Sequence, residues 1–178
     1  MLTQLALVQT TSSKMTVNGK MFNELDQWRN DLQVYNEDYE NIALLVKKYA
    51  NQAYALVSEF KAPLTPIDNE LLAALGIALS VQLQRLVDVR AEAAYNFRGT
   101  KNFYDRTVIG RKFQLMRGGG EKKIAANVAE GEAIQLSTKE FDIMNEAERY
   151  ADISDKRWET TKELIASIRS KLDYGPKP

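Results

Sequence analysis

Apolar residues in the first third of the chain follow a regular 3-4 spacing. The spacing continues without a break from about Met21 to Lys61. Its positions are Leu25, Trp28, Leu32, Tyr35, Tyr39, Ile42, Val46, Tyr49, Ala53, Leu56 and Phe60. Five heptads of this kind predict a helix of about 60 Å with a coiled-coil-like seam. Because five of these residues are aromatic, the pattern favours a wider bundle over a two-stranded coil. The helix packs either on its own chain alone or also on another subunit.

Two prolines, Pro63 and Pro66, predict the end of this first helix. A second helix is predicted from about residue 66 to 97, with Thr65 as its N-cap and Asp68 as an acid in its first turn. The first half of this helix, 71–81, is apolar on nearly every face. We therefore expect it to be buried on several sides.

Cations, aromatics and glycines concentrate between Arg98 and Lys123. This stretch holds eight Lys/Arg against two acids, together with five of the nine glycines. Gly99 is predicted to end the second helix, and residues 98–123 are expected to form an irregular or hairpin-like Gly-rich loop. Cations neutralise phosphates, and aromatic faces stack on unpaired bases. The candidate nucleic-acid contacts are Arg98, Lys101, Phe103, Tyr104, Arg106, Arg111, Lys112, Arg117, Lys122 and Lys123.

A third helix is predicted to begin near Glu121 and to restart at Ser137, where Ser-Thr-Lys-Glu resembles a capping box. A 3-4 spacing of mostly small residues then continues from Met144 to Leu172. Because a three-helix monomer covers only part of these apolar faces, the remainder is expected to form an oligomer interface. The residues assigned to that interface are Leu75, Leu79, Trp158, Ile165, Ile168 and Leu172.

These patterns predict an all-α fold. They indicate an elongated bundle of three long helices with coiled-coil-like seams and a basic Gly-rich loop between the second and third helices. The expected organisation is a flexible arm over residues 1–20, a heptad helix over 21–62, and a helical core over 63–178. The core contains the loop 98–123 and ends in the C-terminal oligomerisation helix.

Positive and negative charge is segregated along a chain whose net charge is zero. Residues 85–123 carry ten Lys/Arg against four acids, whereas residues 124–155 carry two against eight. Such blocks suit a polyanion site, or self-association through complementary patches. Two alternatives stay open: the basic loop binds nucleic acid, or it pairs with the acidic block 124–155.

The chain contains no Cys and no His. A thiol nucleophile, a thiolate zinc site and the commonest general base are therefore excluded. The carboxylates on the predicted helices indicate a solvated acidic face, so we expect no enzyme activity, no metal and no cofactor. The longest apolar run is too short to cross a bilayer, so we expect no membrane span. The missing Cys fits a cytosolic protein, so we expect a cytoplasmic location.

From about Leu83 onward, the order of features resembles the UvsY-type phage recombination mediators. The features are a helix with RLVDVRAEAAYNFRG, a basic loop with an aromatic pair, a helix with EKKIAANVAEGEAI, and a last helix with Arg157-Trp158. Proteins of that family are small, helical and oligomeric. They bind single-stranded DNA and help to load a recombinase onto strands covered by single-strand-binding protein. The resemblance implies strand contacts at Lys101, Arg106, Lys122 and Lys123, assembly through residues 144–172, and the host-cell cytoplasm if the protein is phage-encoded.

The sequence therefore leads to a non-enzymatic, single-stranded-DNA-binding accessory protein that works as a homo-oligomer. Its expected partners are single-stranded DNA, a recombinase and a single-strand-binding protein. The alternative is a structural or interaction protein, such as a phage particle component or a host-factor antagonist. In that case helical seams and complementary charge blocks would hold the subunits together.

Overall fold

Four α-helices make up the part of the chain that the computed structural model describes, residues 17–58, 68–117 and 125–174. They are α1 (Val17–Ser58), α2 (Asn69–Arg117), α3 (Ala126–Leu136) and α4 (Thr138–Tyr174). The all-α prediction is confirmed. Of the predicted arm, residues 1–16 lie outside the described part and residues 17–20 begin α1.

The heptad seam predicted in α1 is the side of the helix that lies in the core. Leu25, Leu32, Tyr35, Tyr39 and Val46 are all buried. The helix packs on α2 and α4 of the same chain. Intrachain packing therefore accounts for the seam.

Helix α2 begins after Asp68, whose carboxylate accepts a hydrogen bond from the backbone N–H of Leu71 at 2.8 Å. Asp68 is thus the N-cap of the helix and not an acid inside its first turn. The predicted N-cap Thr65 lies outside the described residues.

The prediction of a loop beginning at Arg98 is wrong for residues 98–117, because α2 continues through them to Arg117. One 3-4 seam of buried residues extends along almost the whole helix. Its members are Leu72, Leu75, Leu79, Gln82, Leu86, Val89, Ala93, Asn96, Thr100, Phe103 and Thr107. The helix is 49 residues long, or about 74 Å at 1.5 Å per residue. Residues 118–124, with the three consecutive glycines, lie outside the described part.

Helix α2 lies antiparallel to both of its long neighbours. The Trp28 side chain of α1 lies over Gly99, while Glu24, one turn earlier, reaches Arg106. On the other side, Gly76 faces Ile168 of α4, and an added Cβ would lie 3.2 Å from that side chain. The absence of a side chain at position 76 lets these two helices come close together.

Helices α3 and α4 are separated by a single turn residue, Ser137. The predicted restart lies at this position, but the capping box does not form there. The Ser137 hydroxyl donates to the Ala133 carbonyl at 2.7 Å and accepts a hydrogen bond from Arg111 at the same distance. The carboxylate of Glu140 also binds Arg111. The joint between α3 and α4 is therefore held by a side chain of α2.

Candidate nucleic-acid interface

The described cations of the basic stretch lie on the second half of α2 and fall into two groups. Arg98, Lys101 and Arg117 are exposed and have no ion pair within the part of the chain that the structure describes. Arg106, Arg111 and Lys112 are each bound to a carboxylate of the chain. Lys122 and Lys123 lie outside the described residues.

Arg111 is a structural residue of the α2–α3–α4 junction. Its guanidinium meets the carboxylate of Glu140 through two hydrogen bonds of 2.8 and 3.1 Å, and it also donates to the Leu136 carbonyl at 2.5 Å. The Glu140 side chain is only 6% exposed. Removing either partner would leave an unpaired charge in a desolvated environment. Breaking this pair so that Arg111 could bind a phosphate would therefore cost considerable free energy.

Lys112 and Arg106 form more exposed pairs. The Lys112 ammonium lies 2.5 Å from the Glu130 carboxylate. The hydrogen bond from Lys112 lowers the pKa of the Glu130 carboxyl, and the positive charge of Lys112 lowers it further. Arg106 binds Glu24 of α1 at 2.6 Å. Because Glu130 and Glu140 both belong to the acidic block 124–155, part of the basic stretch does pair with that block.

The aromatic pair of the basic stretch does not form a stacking surface. Phe103 is 2% exposed and belongs to the α2 seam, so the prediction that it contacts bases is wrong. Tyr104 is half-buried, and its ring lies 5.5 Å from that of Phe141 on α4. The side chains of two adjacent residues of a helix point in different directions. Here the side chain of Phe103 points into the core, and that of Tyr104 does not.

An open groove between α1 and α2 offers aromatic surface beside the free cations. It has a volume of about 740 Å³ and is lined in part by Trp28, Tyr95, Arg98 and Ile109. The Tyr95 ring is 65% exposed and lies 6.5 Å from the Trp28 ring. We call this site the Trp28 groove. Tyr95 was not among the predicted contacts, although extending the 3-4 seam past residue 93 places it on the outer face of α2.

A second groove lies between α1 and α4. It has a volume of about 370 Å³, and three cations line it, namely Lys47, Lys156 and Arg157, with no acid among its lining residues. Tyr54, which also lines it, is half exposed. Both grooves combine an exposed tyrosine with cations, but the Trp28 groove is also lined by the acid Asp105. This Lys156 groove serves as the control for the Trp28 groove.

The residues assigned to an oligomer interface belong to the core of a single chain. Leu75, Leu79, Ile165 and Ile168 are buried, and Trp158 and Leu172 pack against them. The prediction that these side chains face another subunit is therefore wrong for the four buried residues, while Trp158 and Leu172 are only partly buried. The Trp158 ring has two cations over it, with Arg90 at 4.7 Å and Lys162 at 4.4 Å from its centroid.

Within the described residues, no group of three or more acidic side chains is placed to hold a metal ion. One described helix, α2, is long and apolar enough to cross a membrane by length and composition, and 33% of its apolar window is buried. No family model, curated protein or solved structure matches this chain.

Proposed function

We propose that this chain is a non-enzymatic, single-stranded-DNA-binding accessory protein of the recombination-mediator kind. It acts as a homo-oligomer in the cytoplasm and is built as an elongated bundle with coiled-coil-like seams. A recombinase and a single-strand-binding protein are its proposed protein partners. The observation that carries the proposal is the Trp28 groove, in which an exposed aromatic ring lies beside an exposed guanidinium.

An unpaired base presents a flat apolar face, and a neighbouring phosphate presents negative charge. Tyr95 offers a ring for the first, and Arg98 offers a guanidinium for the second. Lys101 is one helical turn further on and is also exposed. Sequence-independent strand binding requires this combination of a stacking face and nearby cations.

The test is fluorescence polarisation with a labelled single strand, using the double substitution Tyr95→Ala with Arg98→Ala. Loss of one stacked base and one phosphate contact should weaken binding by about 1–3 kcal/mol or more. The matched control is Tyr54→Ala with Lys156→Ala, which makes the same kind of change in the Lys156 groove. Circular dichroism melting establishes that both variants stay folded.

A loss confined to the first variant supports the Trp28 groove. A loss of strand affinity confined to the second variant would assign strand binding to the Lys156 groove. If wild type shows no binding at low salt, the strand-binding function is overturned.

The second candidate is a structural or interaction protein. It is favoured by the ion pairs of Arg111 and Lys112, which use two cations of the basic stretch inside the chain. Under this function the protein assembles through its helical faces and has no affinity for strands. The same polarisation measurement at low salt separates the two functions.

A further inference from the structure

The first half of α2 presents apolar surface on the side facing away from the core. Residues 71–84 contain no charged side chain. Leu72, Leu75 and Leu79 are buried in the chain, whereas Ile77 and Val81, nearer the opposite side, are 68% and 54% exposed.

The small residue Ala74 lies between the exposed Leu71 and Ile77 on this outer surface. With Val81, they form a stripe that we call the α2 outer face. A contiguous exposed apolar surface of this kind marks an interaction site in a soluble protein.

The charges at the two ends of the α2 outer face are opposite in sign. Glu70 stands at the beginning and Arg85 at the end, each about 11 Å along the axis from the midpoint between Ile77 and Ala78. Neither has an ion pair within the described part of the chain. A partner helix that fits must therefore carry a cation opposite Glu70 and an acid opposite Arg85.

The same face of a second copy meets this requirement when it approaches antiparallel. We propose that the α2 outer face docks on its own counterpart in a second copy of this chain. Glu70 of each copy then lies against Arg85 of the other, and the apolar stripes meet between them. A two-fold axis produces both contacts at once, whereas a parallel approach would set like charges opposite each other.

A membrane fits the α2 outer face less well than a second copy does. The charge-free run of residues 71–84 spans about 21 Å, which is shorter than the roughly 30 Å of a bilayer core. Its inner side is already covered by the chain's own core residues.

The inference deepens the homo-oligomeric part of the proposed function and gives it an interface. It does not depend on the Trp28 groove. Strand binding and self-association are measured separately, so either can fail while the other stands.

The absence of Cys from the chain makes a cross-linking test direct. In Ile77→Cys, the only thiol lies near the proposed two-fold axis, and mild oxidation should yield a covalent dimer. The matched control is Val34→Cys, because Val34 is also an exposed apolar residue but lies on α1. Cross-linking of both variants at equal rates would overturn the proposal.

Charge reversal tests the antiparallel register in the full-length chain. By sedimentation velocity, Glu70→Arg and Arg85→Glu should each weaken the dimer about tenfold, because each sets like charges together twice. The double variant Glu70→Arg with Arg85→Glu should restore the affinity. The proposal would be overturned if the single variants had no effect on dimer affinity, or if the double variant dimerised more weakly than either single variant. A monomeric wild type would also overturn it. Binding of the wild type to phosphatidylcholine vesicles in place of self-association would do the same.

Discussion

Gly99 of α2 lies directly beneath the indole ring of Trp28 of α1. A Cβ at position 99 would overlap the indole carbons Cη2 and Cζ2. The glycine thus stands inside a continuous helix, where its lack of a side chain lets a large aromatic residue settle between α1 and α2. Trp28 and Gly99 both line the Trp28 groove.

Gly99→Ala should therefore destabilise the protein, although alanine is the better helix former. We expect a loss of about 1–3 kcal/mol, since Trp28 must move to accommodate the methyl group. The matched control is Gly131→Ala, because a Cβ there meets nothing within 4 Å. That control should gain up to about 1 kcal/mol from helix propensity. Urea unfolding of both variants measures the difference, and a stabilised Gly99→Ala would contradict the packing described above.

The Arg111–Glu140 pair should contribute far more to stability than the Lys112–Glu130 pair. Arg111→Ala leaves a buried carboxylate without its partner and should cost about 3 kcal/mol. Lys112→Ala breaks a more exposed pair and should cost much less than Arg111→Ala. Equal costs in thermal unfolding would show that Arg111 does not hold the α3–α4 joint.

Phe103→Ala should lower stability by about 3–5 kcal/mol, because it removes a ring that is 2% exposed and leaves a cavity. Phe113→Ala is the matched control, since Phe113 is 55% exposed on the same helix and should tolerate truncation. Denaturant unfolding compares the two. If Phe103→Ala instead keeps its stability and loses strand affinity, Phe103 contacts bases after all.

Strand binding should depend on salt with a modest slope. Three described cations of the basic stretch, Arg98, Lys101 and Arg117, are exposed and without an ion pair in the described part. At about −0.7 for each phosphate contact, log K should change by about −2 per tenfold change in salt for each bound subunit. Polarisation titrations at several salt concentrations give the slope, and a flat response would exclude phosphate contacts.

Alkaline pH should destabilise the protein through Tyr35. Burial raises the pKa of Tyr35 from 10.0 to about 12, so the folded state favours the neutral phenol. The contribution of Tyr35 to the free energy of unfolding is fully present below pH 10. It falls by up to about 1.4 kcal/mol per pH unit as the pH rises toward 12.

Tyr35→Phe removes this alkaline loss. Denaturant unfolding at pH 7, 10 and 11 provides the measurement, with Tyr54→Phe as the half-exposed control. Parallel pH profiles for wild type and Tyr35→Phe would show that other groups cause the loss.

The seam of α1 could be predicted from sequence because its buried positions are apolar or aromatic. Leu25, Leu32 and Ile42 each lie on the 3-4 pattern, and all are buried. The restart at Ser137 was also visible, since a short polar segment interrupts the apolar spacing there. The hydrophobic effect selects such positions locally, so the pattern alone carries the information.

The continuation of α2 could not be predicted in the same way. Beyond Ala93 its buried seam includes Asn96, Thr100 and Thr107, which interrupt the apolar periodicity, and Gly99 resembles a helix stop. These residues are buried because the other helices pack on α2. Local hydrophobicity does not select them.

The sequence by itself determined the helical class, the α1 seam and the segregation of charge. Only the tertiary structure decided which cations remain available to a ligand. Arg111 meets Glu140 because α3 and α4 fold back along α2 and bring together residues 29 positions apart. Arg98, which has no ion pair in the described part, stays exposed next to Tyr95. Charge is a property of the sequence, but its pairing depends on distances that only packing sets.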